Sequence, residues 1–358
     1  MRHPRLVGAL FAFALPALSP ADTRACTAFL LEQDGEVAVA KSYDWDQGAA
    51  LVIWNKRGVA KASLPLPTLS RPHQWYSRYA SLTFNQYGRE LPVGGMNEAG
   101  LMVETLWLES GQNEPVDDRP ALNELQWVQW VLDSFARVEE VVAAAPGVRI
   151  ERVYGKGHYL VCDRRAECAV FELLGGKLEI RAGDALPVRA LANNTYDDSL
   201  TSLRGHRGFG GDRPLPEGPR SLARFTRAAA AAGAPASREP VVARAFGILD
   251  AVSQGDFSKW NLVYLLKAGK VVFRTSTHRP AREVALGRLD PACGTPVRML
   301  DIQAELEGDV TGRFQDWTQA ANRDLLRVTF KDLPLPPGLG ELVSAFPETL
   351  PCLPAGTH

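Results

Sequence analysis

Cys26 is the residue whose type and position offer the most distinctive chemistry. The chain has five cysteines: Cys26, Cys162, Cys168, Cys293 and Cys352. Cys162 and Cys168 flank a polar run between two apolar ones, Tyr159-Leu160-Val161 and Ala169-Val170-Phe171, which reads as a hairpin that a disulfide can staple near its turn. Cys293 and Cys352 can close the C-terminal segment in the same way. Pairing these four leaves Cys26 odd, and an odd cysteine in an exported chain points to a reactive thiol. The plainer alternative is a set of buried thiols, and spacing does not fix the connectivity.

Export itself is read from the N-terminus. Arg2, His3 and Arg5 precede an apolar run from Leu6 to Leu18, and small and polar residues follow up to Thr23-Arg24-Ala25. This charged, apolar, polar order is that of a secretory signal peptide, expected over residues 1–25. The apolar run is too short to span a bilayer comfortably. Two rivals are a membrane anchor and a lipoprotein signal, which also ends before a cysteine. Thr23 and Arg24 fit the lipoprotein pattern poorly. Cleavage after Ala25 makes Cys26 the first residue of a secreted, periplasmic chain.

A cysteine at a free N-terminus carries its own base. An α-amine titrates at about 7.7–8.0, close to working pH. It can take the thiol proton and return it to a leaving amine, so no histidine is required. The six histidines are scattered and form no recognisable catalytic motif. Asp44, within Lys41-Ser42-Tyr43-Asp44-Trp45-Asp46, follows the second expected strand. If the first two strands form a hairpin, Asp44 returns beside Cys26 and can hold its ammonium. An ordinary turn aspartate is the equal alternative.

The elements that must position these groups follow from the pattern. Thr27 to Leu31, a turn at Gln33-Asp34-Gly35-Glu36, and Val37 to Ser42 read as strand, turn, strand. Further strands are expected at Leu51 to Lys56, Leu82 to Asn85, Leu101 to Leu108, and from Arg149 through Ile180. Leu125, Val128, Leu132 and Phe135 recur at helical spacing, as do Val138, Val141 and Val142, before Pro146-Gly147. Pro65 to Pro72 and Arg204 to Pro219 read as loops, the latter as surface or lid. Helices are expected at Ser221 to Ala232 and Pro240 to Val252, and a hairpin about Ala268-Gly269. From Leu289 the chain reads as an irregular extension with one helix near Phe314 to Leu326. Strand blocks with helices between them predict an α+β or layered architecture, in one catalytic domain over 26–358. The 358 residues are 46% hydrophobic, ample for a sizeable core, and the net charge of -1 argues against a nucleic-acid partner. No later segment is apolar enough to span a membrane in the mature chain.

Taken in order, Cys26-Thr27-Ala28-Phe29, Asp44-Trp45, Met96-Asn97-Glu98-Ala99-Gly100-Leu101, Asn193-Asn194, Ala223-Arg224-Phe225 and Trp260-Asn261-Leu262 resemble the choloylglycine hydrolase family, which contains penicillin V acylases and bile salt hydrolases. The resemblance runs from Cys26 to about Thr275. The runs Phe84 to Glu90 and Val103 to Trp107 are similar to its Gram-negative penicillin V acylase branch.

The resemblance implies a four-layer αββα N-terminal nucleophile hydrolase fold and hydrolysis of a carbon–nitrogen amide bond through an acyl-enzyme. It implies that Cys26 is nucleophile and base, that Asp44 orients its amine, and that Asn193 gives the side-chain donor of the oxyanion hole, with Asn194 as the neighbour open to confusion. Arg224 matches an arginine that shapes charge around the nucleophile. Without the resemblance, Arg224 is a routine helix arginine and Asn193-Asn194 a turn pair.

Two departures stand out. Lys41 replaces an arginine, keeping the charge but not the planar fork. Trp107 stands where many relatives have asparagine or tyrosine. Trp107 and Trp45 read either as walls of an aromatic or apolar acyl pocket or as core packing.

The leading expectation is an exported acylase of a small-molecule amide, of penicillin V or an N-acyl homoserine lactone type. The runner-up is a conjugated bile salt hydrolase. From another class comes an exported lipid-anchored or binding protein without catalysis. No metal or organic cofactor is implied, and a homo-oligomer, a tetramer, is expected by resemblance alone.

Overall fold

Two residues with positive φ make the first turn. Asp34 (φ 55°) and Gly35 (φ 79°) join the strands Thr27–Gln33 and Glu36–Asp44. An Asp-Gly pair suits such a two-residue turn because its twist matches that of the strands it joins. The turn sets the register, pairing Gln33 with Glu36 and Thr27 with Ser42. Cys26 therefore enters the first strand where the second ends, as the hairpin expectation required.

The computed structural model describes residues 26–66, 69 and 71–353. The expected signal peptide, 1–25, lies outside the described residues, as does part of the loop expected at 65–72.

Two sheets carry the fold. The first has seven strands in the order Ala190–Leu191, Thr27–Gln33, Glu36–Asp44, Ser258–Leu265, Lys270–Thr275, Arg282–Ala285 and Gly308–Asp309. The second has nine: Lys177–Ala182, Cys168–Leu174, Gly157–Cys162, Met102–Trp107, Gly94–Asn97, Ser81–Asn85, Leu51–Asn55, Arg298–Asp301 and Gln315–Asp316. Helices α1 (Glu124–Ser134) and α2 (Val138–Ala144) cover the nine-stranded sheet. After α3 (Tyr196–Leu203), helices α4 (Ser221–Gly233) and α5 (Val241–Ala251) cover the seven-stranded one. The result is the α+β, four-layer αββα architecture expected from the resemblance.

Alternation along the strands explains how one sheet serves two layers. Side chains two apart share a face. Val103, Tyr159 and Val161 pack with Trp127 of α1, whereas Met102, Leu106 and Leu160 belong to the core that includes the seven-stranded sheet. Across the inter-sheet seam the Phe84 ring meets Tyr264 at 6.2 Å and Phe273 at 5.8 Å. Trp127 is fully buried and lies 4.4 Å from the Tyr159 ring.

Both expected disulfides are present, Cys162–Cys168 and Cys293–Cys352, and Cys26 is the free cysteine. Cys162 and Cys168 face each other in register at the ends of their hairpin strands. The second bridge spans 59 residues, a loop whose closure stabilises a fold by about 4 kcal/mol in the chain-entropy account.

The C-terminal stretch is more ordered than the sequence suggested. Arg298–Asp301 pairs with Leu51–Asn55 inside the nine-stranded sheet, and two helices follow, α6 (Gln319–Thr329) and α7 (Leu339–Ala345). The expected helix at 314–326 starts later because Thr318 caps it, its hydroxyl accepting from the Ala321 N–H at 3.2 Å. Among the described residues no helix is long and apolar enough to cross a membrane.

Candidate active site

The hairpin register puts Cys26 next to Tyr43 and Asp44. The Asp44 backbone favours the Cys26 thiolate, while the Asp44 carboxylate disfavours it. Strand Ser258–Leu265 pairs with the other edge of Glu36–Asp44, placing Ser258 opposite Asp44. The Asp44 carboxylate is thereby surrounded: Oδ2 accepts from Gln254 Nε2 at 2.7 Å and from the Ser42 hydroxyl at 3.1 Å. Its Oδ1 is buried and has no hydrogen-bond partner among the described residues. Burial raises the Asp44 pKa, while Arg224, Ser258, Gln254 and Ser42 pull it down.

Arg224 braces the start of the first strand. It lies on the second turn of α4, fully buried. One guanidinium nitrogen donates to the Cys26 carbonyl at 2.8 Å and also to the Thr27 hydroxyl. The other donates to Asn193 Oδ1 at 2.9 Å, and Nε donates to the Pro219 carbonyl at 2.9 Å. A planar fork of five N–H groups suits this divergent set, which a lysine would not satisfy. Burial lowers its pKa to about 10, with Asp44 and Cys26 opposing, so it stays charged at neutral pH.

Asn193 follows the edge strand Ala190–Leu191. Its Nδ2 donates to the Trp107 carbonyl at 2.7 Å, which leaves its second amide N–H without a partner among the described residues. Asn194 beside it is half-buried, and neither asparagine is among the residues that line the cavity described below.

Lys41 is fully buried and points into the inter-sheet seam. Its ammonium pairs with Glu104 and donates to the Thr105 carbonyl at 2.9 Å. The other Glu104 oxygen accepts from the Tyr264 hydroxyl. One carboxylate oxygen and one carbonyl ask for a point charge rather than a fork, so a lysine meets this arrangement fully. Lys41 does not line the cavity; it touches it through Thr105.

The cavity holding Cys26 encloses about 910 Å³ with its open mouth included. Near the thiol its walls are aromatic: Tyr43, Trp45, Tyr87, Trp107 and Tyr154. The Trp107 ring stands between Trp45 at 5.5 Å and Tyr154 at 6.2 Å. Tyr43 stacks on Trp260 at 4.0 Å, which anchors the floor. Among the described residues no histidine lines this space, and neither does the loop 204–219, read as a surface loop or lid. Glu124 is the only charged lining residue among the described residues. Its carboxylate accepts the backbone N–H groups of Val153, Tyr154 and Gly155 at 2.8, 2.9 and 2.7 Å, holding that segment over the cavity.

Burial pushes the Cys26 thiol up to about 11; Lys41 opposes the rise and Asp44 adds to it. At neutral pH the thiol is protonated, so a nucleophilic role requires a base.

Sequence reasoning brought Cys26, Asp44, Asn193 and Arg224 forward, and the fold gathers these four. Trp45 and Trp107 stand in the cavity wall. Gln254, Ser258, Tyr87, Glu124 and the apolar end of the cavity were not anticipated. Gln254 and Ser258 sit beside Trp260-Asn261-Leu262, the one local signal that could have drawn attention to them.

Comparison with known proteins agrees with this geometry. The model of linear amide C–N hydrolases, choloylglycine hydrolase family, matches residues 26–247. A penicillin V acylase of Pectobacterium atrosepticum is 28% identical over 248 residues, 63% of this chain; the match spans 65% of that relative's length. The structure of a penicillin V acylase from Agrobacterium tumefaciens superposes with a TM-score of 0.72 at 27% identity, covering 82% of this chain and 98% of that one. A variant of the conjugated bile acid hydrolase from Clostridium perfringens shares the fold, with a TM-score of 0.65 at 18% identity over 79% of this chain and 98% of that one. The chain that surrounds Cys26 in this way is an enzyme, and it belongs to the choloylglycine hydrolase family of linear amide C–N hydrolases.

Proposed function

We propose that this enzyme is an exported acylase whose residues 1–25 are removed, so that the α-amine of Cys26 becomes the base its thiol lacks. The support is the setting of that thiol: it is protonated, histidine-free and next to Asp44, whose buried Oδ1 lacks a partner that an ammonium would supply. The amine takes the thiol proton, and sulfur attacks the amide carbonyl carbon. The oxyanion that forms is met by the free N–H of Asn193. The carbon–nitrogen bond then breaks, the α-ammonium gives its proton to the leaving nitrogen, and a thioester remains. Water, deprotonated by the same amine, releases the acid and restores the thiol.

The aromatic walls near Cys26 suit the acyl group of penicillin V or an N-acyl homoserine lactone. Initial rates on penicillin V, acyl homoserine lactones and a glycine-conjugated bile acid test this. The first two classes are expected to turn over faster, with a thioester visible as added mass on Cys26 when the reaction is quenched. Equal or faster turnover of the bile conjugate would overturn the ranking. A diacylated Cys26 in intact-mass analysis would replace catalysis with anchoring.

The role given to Asn193 has its own test. Asn193→Ala is expected to lower kcat by about 10²–10³-fold with KM little changed, as loss of one oxyanion donor does elsewhere. A change confined to KM would remove Asn193 from the oxyanion hole.

A further inference from the structure

The far end of the cavity is built from a part of the chain beyond the family match, which ends at residue 247. Phe330, Leu333, Leu335, Leu339 and Val343 all line it, from the end of α6, the connecting segment and α7. Leu339 and Val343 pack there with Leu64, Leu66 and Leu91 in an aliphatic cluster separate from the core around Cys26. Tyr87 and Leu125 touch both clusters, so the cavity runs from an aromatic end at the thiol to an aliphatic end under this strap.

The strap is firmly seated. Asn322 Oδ1 accepts the Arg89 backbone N–H at 2.9 Å, and the Arg89 guanidinium lies 4.9 Å from the Trp317 ring centre. Gly88 (φ 90°) lies directly beneath it: a Cβ there would sit 3.1 Å from Val343 and 3.2 Å from both Asn322 and Leu326. A residue without a side chain, in a backbone region that favours glycine, lets the helices approach this closely. Cys293–Cys352 ties down the chain beyond α7.

We propose that this C-terminal strap, residues 319–345, is the specificity-determining wall of the acyl pocket and selects straight alkyl acyl groups by length, resting on the acylase reading only for what is attached at the carbonyl. The strap residues that line this end, Phe330, Leu333, Leu335, Leu339 and Val343, are all apolar and offer a methylene chain apolar contact. Each methylene moved there from water tightens binding about fourfold until the strap is met.

The test is binding of straight-chain carboxylic acids from four to fourteen carbons, the acid products of such amides, measured by calorimetry on the processed chain. Affinity is expected to climb with length and then stop climbing. Leu335→Trp and Val343→Phe are expected to lower the ratio of twelve-carbon to four-carbon affinity at least tenfold. Leu335→Ala, which shortens the wall and adds no bulk, is expected to move the plateau to longer acids. Affinity indifferent to length, or a ratio unchanged in all three variants, would overturn the strap's role. Binding needs no turnover, so a chain that behaves as stated and hydrolyses no amide keeps the alkyl site and loses the acylase reading.

Discussion

A chain that keeps residues in front of Cys26 is expected to be inactive, and removal of residues 1–25 to restore it by about 10²–10⁴-fold, the usual contribution of a placed general base. The expectation follows from the thiol. With its pKa pushed up to about 11, it is thiolate to only about one part in 10⁴ at pH 7. Among the described residues no histidine lines the cavity to shift that balance, and Lys41, the cation that favours the thiolate most, is committed to Glu104. An α-amine against Asp44 Oδ1 would donate the missing hydrogen bond and, in its neutral form, serve as the missing base. Alkylation reads this directly. In the unprocessed chain the rate at Cys26 is expected to rise about tenfold per pH unit from 7 to 10, following the thiolate. In the processed chain it is expected to be far faster at pH 7 and to level off near the amine's pKa. Cys26→Ala in the processed chain is expected to lose at least about 10³-fold in kcat, as loss of a nucleophile does in other hydrolases. Full amidase activity in Cys26→Ala, or in a chain with residues 1–25 shown intact by mass, would sink the mechanism.

Lys41→Met is expected to destabilise the fold by about 3–5 kcal/mol, the penalty for leaving a buried charge alone. Lys41 and Glu104 are both fully buried between the sheets, and the ion pair joins the strand Glu36–Asp44 to Met102–Trp107. Burial already raises the Glu104 pKa, and Lys41 is the main force lowering it. Without Lys41 it rises further. A carboxyl whose folded pKa exceeds its unfolded one binds protons more readily when folded, so stability rises as pH falls between the two values. The deficit of Lys41→Met is therefore expected to shrink in acid across that window. Adding Glu104→Gln removes the stranded charge and is expected to recover most of the loss at neutral pH. Urea unfolding of the unaltered chain, Lys41→Met and the double variant at two pH values checks both statements. A double variant no more stable than Lys41→Met would show that the cost lies in packing instead.

How much of this was legible in the sequence depends on whether a neighbour is near in the chain. The Asp34-Gly35 turn is a local signal, and through it the register that brings Asp44 to Cys26 could be read. Helices α1 and α2 announced themselves by apolar spacing. The strand Arg298–Asp301 did not, because four residues gain their strand character from pairing with Leu51–Asn55 far away in the chain. Gln254 and Ser258 reach Asp44 only because Ser258–Leu265 pairs beside Glu36–Asp44.

The sequence by itself singled out Cys26 and suggested a pairing of the other four cysteines, which the structure then showed. An odd cysteine behind a signal-like segment, and four others in two near-symmetric settings, are facts of order and count. It also carried the ordered residues from which the family was read. Tertiary structure decided what those residues face. Lys41 shares a strand face with Tyr43 but reaches the cavity only through Thr105, because Glu104 and the Thr105 carbonyl take its ammonium. The pocket's far wall came from the last helices, since nothing local links Leu339 to Cys26. Only packing of α6 and α7 over Gly88 closes that space, and packing is a property of the folded surface rather than of any stretch of chain.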